Sequence, residues 1–460
     1  MVDLAAMSRE DVEPGLRLPP SLLDLLSNSL IFDATLPYLP LSAIFSLFRT
    51  CHSFRDLISR TRSVFRYVDL SNCRGAYVPP NLLTRLDSGG HSWRAERMDE
   101  NLTEDEFYAG PLRGVLWKLG RMNVLHSVQT LVLDDLASVT HDLVSDIVLG
   151  SDYNVRLLSI RRCLNVNQSK LQQLLRHICR PSRPEGTPRL QGLYVFAPPI
   201  SMKQHGGTIL LEGGHVGKGA PDNGNSCSIT SDPWYAPTGQ VITQGHSQRS
   251  SWEETLQACY GILSFDAVLC THMHVDMAPV LHLASRDYLS EHKPGVPPLA
   301  TISLGPEGCA GCGRSPHGAP VWGESDIREF PLLSPPPTSG KLIDAVRPPV
   351  RLSEDGNPIP QRLIVSCTWC LTNRHCDNCH RWWCADCYNL KNSKRLGDLE
   401  RLSRAGLSYV PSRDELRLGT GRASESGNGD YLKVFNGLCI NNCLVGEWLA
   451  SAGGGGETWG

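Results

Sequence analysis

The stretch "VRLLSIRRCLNVNQSKLQQLL", Val155 to Leu175, opens as a short apolar burst, passes through a polar turn and closes on leucines at helical spacing. A brief apolar run bounded by turn residues reads as a buried strand, and the part after the turn reads as an amphipathic helix. Two further bursts flank it: "VQTLVLDD" from Val128, followed by its own turn and helical stretch, and "LQGLYVF" from Leu190. Leu131 to Leu157 spans 26 residues and Leu157 to Leu193 spans 36, so any repeat is irregular. The loop "RPSRPEGTPR" accounts for the excess as an insertion.

The chain has 460 residues, enough for two or three cores. A net charge of −3, with no long run of one sign, offers no surplus to pair with phosphates, so no nucleic-acid partner is expected. The opening "MVDLAAMSREDVEPGLRLPP" lacks the charged-then-apolar pattern of a secretory signal. The most apolar stretch, Ser29 to Phe48, carries Asp33, Pro37 and Pro40 near its centre and reads as protein core, so no membrane partner is expected. Seventeen cysteines without a secretory signal imply reduced thiols and a cytoplasmic or nuclear location.

The expected fold class is mixed α+β: an N-terminal helical module, an irregular α/β body and a C-terminal zinc-stabilised module. The expected segments are 18–68 for the helical module, 69–200 for the body, 201–251 for a Gly/Ser-rich mobile loop and 252–330 for the return of the body. There follow a Pro-rich linker at 331–362, a cysteine-rich module at 363–390, a segment packing on it at 391–450 and a tail at 451–460.

After Pro40, apolar residues at Leu41, Ile44, Phe45, Leu47, Phe48, Cys51, Phe54, Leu57 and Ile58 keep three-and-four spacing for nearly five turns, which predicts one helix through Cys51. "LPPSLLDLL" followed by "LPYLPLSAIFSLFRTCHSFRDLI" resembles the F-box: a Leu-Pro entry, a first helix, a Leu-Pro-Leu turn and a helix through Cys-x-x-Phe-Arg. Twelve residues, "SNSLIFDATLPY", separate the first helix from that turn, a longer spacer than the pattern carries. The resemblance implies docking on the Skp-type adaptor of an SCF ubiquitin ligase, with the rest of the chain recruiting a protein substrate. It places Leu18, Pro19, Leu22, Leu39, Pro40, Leu41, Ile44, Leu47 and Cys51 at or near the docking surface, where apolar anchors would fill pockets on a partner helix bundle.

The stretch from Val155, with "YVDLSNC" ending at Cys73, resembles leucine-rich repeats of the cysteine-containing kind. That implies inward-pointing strand leucines, Cys163 and Cys73 as buried thiols, and a concave strand face or adjoining loops that contact the substrate. An α/β domain of unrelated strands is the alternative.

"CTWCLTNRHCDNCHRWWCADC", Cys367 to Cys387, holds three C-x2-C pairs: Cys367/Cys370, Cys376/Cys379 and Cys384/Cys387. Cys309/Cys312 and Cys439/Cys443 supply two further cysteine pairs, the latter spaced C-x3-C, at a distance. Tetrahedral zinc takes four S or N ligands, and a C-x2-C turn delivers two while aiming backbone N–H groups at the sulfurs. Ten cysteines exceed by two what a pair of four-sulfur sites requires, with His317, His375 and His380 as competitors. Zinc is thus the expected cofactor, in closed structural sites, ahead of disulfides, a redox dithiol or an iron–sulfur cluster. "RHCDNCHRWWCADCY" resembles the second half of ZZ-type cross-braced zinc modules, which implies Cys367 and Cys370 sharing an ion with Cys384 and Cys387, and Cys376 and Cys379 meeting a distant pair. Sequential pairing is the rival. Trp382 and Trp383 read as core over the zinc or as an exposed anchor.

"THMHVD", with His272, His274 and Asp276, resembles the opening of the metallo-β-lactamase motif, but Met277 stands where its last histidine belongs. No G-x-S-x-G, Walker or G-x-G-x-x-G signature occurs. The sequence reads as a non-catalytic F-box adaptor, with a zinc-dependent scaffold lacking ligase docking as the alternative and a metallo-hydrolase behind it.

Overall fold

The computed structural model describes residues 21–76, 104–196, 240–241, 252–271, 297–305, 307–316, 318–348, 350–353, 355–367, 370–371, 374–384, 387–388, 433–435 and 437–444. Four short helices lead: α1 (Leu22–Ser27), α2 (Ser29–Thr35), α3 (Leu41–Thr50) and α4 (His52–Arg60). Ser21 and Asp24 form a reciprocal capping box on α1, which satisfies backbone donors that a helix start leaves open. The long spacer of the sequence pattern folds as α2 and a 3-10 turn, Leu36–Tyr38.

The single helix predicted through Cys51 is two. Cys51 is extended, with φ −153° and ψ 167°, and serves as the C-cap of α3 and the N-cap of α4. The Thr50 hydroxyl donates to the Leu47 carbonyl at 2.6 Å, taking up one acceptor freed at the break. Both helices turn their apolar faces to the same core, so periodicity carries across a break of one residue.

Next comes a stack of parallel strands: β1 (Tyr67–Asp69), β2 (Thr130–Val132), β3 (Leu157–Ser159), β4 (Gly192–Tyr194) and β6 (Ser264–Phe265), adjacent in chain order. Helices precede each strand after the first: α5 (Glu104–Arg121), α6 (His141–Leu149), α7 (Gln168–Ile178) and α8 (Trp252–Cys259). Val68, Leu131, Leu158, Leu193 and Phe265 stand in one register row, and all point into the same buried cluster. Leu26, Phe32, Leu36, Ile44 and Ile58 belong to that cluster too, so the N-terminal helices cap the stack rather than forming a separate core. The structure is therefore mixed helix and strand around a parallel sheet.

The opposite face of the sheet is covered by the chain itself. Leu157 and Tyr194 pack with Phe330, Leu332, Leu333, Ala345 and Val346 in a second buried cluster. Thr130 and Tyr194 donate their hydroxyls to the Pro337 and Ser334 carbonyls at 2.8 and 2.7 Å, and the Leu332 N–H bonds the Phe265 carbonyl at 2.8 Å. Gly192 makes room: a Cβ there would lie 2.7 Å from Leu157 Cδ2 and 3.2 Å from Leu332 Cδ2. The segment expected as a Pro-rich linker is thus a strap, including the short helix α9 (Leu342–Val346), and the strand face expected to meet a substrate is occupied.

A three-stranded sheet follows, with β10 (Ile364–Ser366) antiparallel to β7 (Ile302–Leu304), and β7 antiparallel to β5 (Gln240–Val241). β5 lies within the segment expected as a mobile loop; 201–239 and 242–251 lie outside the described residues. The remaining pairs are β8 (Arg351–Leu352) with β9 (Pro358–Ile359), and β11 (Val434–Phe435) with β12 (Leu438–Cys439). The expected tail, 451–460, is outside the described residues. Among the described residues no helix is long and apolar enough to cross a membrane.

Candidate metal centre

Each cysteine group is assembled by strand ends and tight turns. Cys309 and Cys312 follow β7, Cys367 follows β10, and Cys439 ends β12. All ten cysteines singled out in the sequence come together in groups that could hold a metal ion: Cys309, Cys312, Cys384 and Cys387 in the first, Cys376, Cys379, Cys439 and Cys443 in the second, and Cys367 and Cys370 in a third with Cys270. Within each group the sulfurs lie within 4.8 Å of one another. No disulfide joins any of the described cysteines.

The donor chemistry fits a tetrahedral ion. With zinc–sulfur bonds near 2.3 Å, the sulfurs of a tetrahedron stand roughly 3.8 Å apart, whereas a disulfide needs about 2.05 Å. Cys312 and Cys384 Sγ are 3.9 Å apart, and Cys379 and Cys439 Sγ are 3.6 Å apart.

Backbone dipoles favour thiolates at these positions. The N–H groups of Gly311 and Cys384 point at Cys309 Sγ, at 3.3 and 3.1 Å. Burial opposes ionisation of Cys309, yet the N–H bonds from Cys384, Gly311 and Cys312 outweigh it and bring the thiol down to about 7. Cys376 shows the same contest, with burial opposed by N–H groups of Cys379, Cys439 and Asn378, and its pKa is also lowered. Gly311 is closely approached, since a Cβ there would lie 3.0 Å from Cys387 Cβ and Sγ, which would have to give way.

The pairing differs from the one the cross-braced likeness implied. Cys367 and Cys370 do not share a group with Cys384 and Cys387, whose partners come from Cys309 and Cys312, over seventy residues upstream. Cys376 and Cys379 meet a distant pair, Cys439 and Cys443. The second group is thus closed by a short piece of the 391–450 segment. His375 and His380 stand beside the groups without joining them, and His317 lies outside the described residues. His375 Nδ1 is 3.3 Å from an Asp377 carboxylate oxygen. Burial, and then His375, lower the pKa of His380.

Trp382 is core, 1% exposed, and packs with Ile302, Leu304, Ile364 and Cys384. Trp383 is half-buried between the first and second groups. Arg374 is buried among the thiols; its guanidinium donates to the Trp383 carbonyl at 3.1 Å and to the Cys370 carbonyl, a cation that offsets clustered thiolate charge.

The docking residues expected from the F-box likeness divide. Leu22, Pro40 and Cys51 are exposed; Leu39, Leu41 and Leu47 are half-buried; Leu18 and Pro19 lie outside the described residues. Ile44 is 1% exposed and sits in the main core, on the face of α3 that packs with Phe32, Leu36 and Ile58 in the same cluster. Sequence reasoning missed the exposed apolar residues Leu25, Leu30, Ile31 and Tyr38, which belong to the first helix and the spacer. It also missed Cys270, a lone cysteine without a C-x2-C partner, although it stands five residues past Phe265 as Cys163 stands five past Leu158, its row-mate. His272, His274 and Asp276 of the hydrolase-like motif lie outside the described residues.

No protein family, curated protein or solved structure matches this chain.

Proposed function

We propose that this chain is an F-box-type adaptor: its N-terminal helices dock on the Skp-type component of an SCF ubiquitin ligase, and its body presents a protein substrate. The observation that carries this reading is the solvent-facing apolar set on α1, α2 and the 3-10 turn, with Leu22, Leu25, Leu30, Ile31 and Tyr38 all exposed, Leu30 at 80% and Tyr38 at 74%. Scattered apolar residues are ordinary on a surface, but five within seventeen positions of one helical cluster suit helix-in-groove recognition. The other faces of these helices fasten to the parallel stack, as a rigid adaptor requires. The stack itself is the arrangement expected of leucine-rich-repeat-like units.

With the strand face covered, substrate contacts fall to the loops and to the cysteine-rich lobe, which bound zinc would hold in shape. Catalysis belongs to the ligase, and the adaptor contributes effective concentration. The function is one of position.

Co-purification of the full chain with a Skp-type adaptor tests the proposal, comparing wild type with a Leu30→Asp/Tyr38→Ala double variant. Both side chains are exposed, so the variant should fold with stability within about 0.5 kcal/mol of wild type, yet lose the adaptor by at least tenfold. Folded wild type that captures no adaptor would leave a zinc-dependent scaffold as the better reading.

A further inference from the structure

Two four-cysteine groups use eight of the ten cysteines in C-x-x-C or C-x3-C pairs and leave Cys367 and Cys370 over. These two close on Cys270, about a hundred residues upstream, with Cys270 and Cys370 Sγ 3.9 Å apart, near the edge length of a zinc–sulfur tetrahedron. We propose that Cys270, Cys367 and Cys370 form a third zinc site, which ties the last strand of the parallel stack to the cysteine-rich lobe. The inference rests on the metal reading of the other two groups and is independent of ligase docking.

Three further observations support it. First, the triad has the backbone support seen at Cys309: the Cys370 N–H points at Cys367 Sγ at 3.4 Å, and the Cys367 N–H points at Cys270 Sγ at 3.3 Å. Such N–H groups orient and stabilise metal-bound thiolates. Second, the three residues are 4%, 2% and 7% exposed and make up a small cluster of their own, separate from both apolar cores.

Third, the position of Cys270 is that of a repeat thiol put to another use. Val68, Leu131, Leu158 and Phe265 belong to one register row, and five residues beyond each stand Cys73, Leu136, Cys163 and Cys270; the residue five beyond Leu193, Pro198, lies outside the described residues. Within the stack that position packs inward, and Cys163 Sγ donates to the Leu133 carbonyl at 3.3 Å. At the last strand Cys270 meets Cys367 and Cys370 instead. The approach is fixed by backbone bonds from Cys270 N–H to the Pro298 carbonyl, 2.8 Å, and from Thr301 N–H to the Ser366 carbonyl, 3.0 Å.

Without a cation the three sulfurs cannot all ionise. Binding a divalent ion displaces the three thiol protons to solvent and leaves a net charge of −1, beside the Arg374 guanidinium on the Cys370 carbonyl. The fourth position on the ion then belongs to a donor other than these sulfurs.

Zinc counting on the reduced full chain, by mercurial release and a colorimetric indicator, should give three ions per chain. Cys270→Ser should give two. A wild-type count of two, or a Cys270→Ser variant that keeps three, overturns this inference while leaving the four-sulfur sites intact, and a count of zero overturns both. Should that variant fail to fold, cadmium-113 NMR of the substituted wild type decides: two four-sulfur resonances with a third upfield from three sulfurs is expected, and two resonances alone overturn the site.

Discussion

The parallel stack and the cysteine-rich lobe sit in one chain and are built on opposite principles. In the stack, strands lie side by side in the order they occur along the chain, and rows of Leu, Val and Phe fill one continuous core. In the lobe, apolar clusters are small, and side chains sixty or more residues apart must converge on a point. The stack is held by area removed from water, whereas the lobe gathers cysteine groups that could hold metal ions. One therefore tolerates loss of any single contact by degrees, whereas the other, with metal bound, would stand or fall with its ions.

Stripping metal with a strong chelator should break the pair apart most visibly. Structural zinc contributes roughly 10–16 kcal/mol per ion at neutral pH, so the lobe should unfold and the emission of buried Trp382 shift to the red. Far-UV dichroism from the stack should largely persist. Loss of all secondary structure would show that the stack, too, depends on the ions.

The next largest effect lies inside the stack. Asp134 is buried and accepts from the Ser159 hydroxyl at 2.6 Å, the Arg161 N–H at 2.9 Å and the Arg161 guanidinium at 2.7 Å, with that guanidinium 5.4 Å from the centre of the Tyr194 ring. Asp134→Ala leaves a buried cation without its partner and should cost about 3–5 kcal/mol. Denaturant melts should register this while zinc content stays at its wild-type value; metal loss would mean the two regions are energetically joined.

A finer probe is Tyr194→Phe, which deletes the hydroxyl bond to the Ser334 carbonyl and should cost about 1 kcal/mol. Amide exchange should quicken around Leu332 and Leu333 before it changes elsewhere. An unchanged strap would place its attachment in the apolar packing of Leu157, Phe330, Leu332 and Leu333 and in the bonds at Pro337 and Phe265 instead.

The same contrast governs what the sequence could reveal. Strands β2, β3 and β4 were readable because a buried strand leaves a local mark, and Cys163 was readable as an inward thiol. Cysteine pairs announce metal chemistry by their spacing, but their partners are set by three-dimensional return paths, so the split between Cys367/Cys370 and Cys384/Cys387 was hidden. The strap was hidden for another reason: "PLLSPPPTSG" has the composition of a linker, and only the sheet face beneath it shows that Leu332 and Leu333 are buried and its carbonyls engaged. Ile44 carries the same apolar mark whether its helical face meets a partner or the chain's own core, and only the folded packing shows it in the core.

The strap also sets a timetable. Leu157 and the Leu332 that covers it are 175 positions apart. At about 5–20 residues per second of synthesis, the sheet face emerges from the ribosome roughly 10–35 seconds before its cover. For that interval a newborn chain carries an open apolar face, so its survival depends on what shields that face while translation continues.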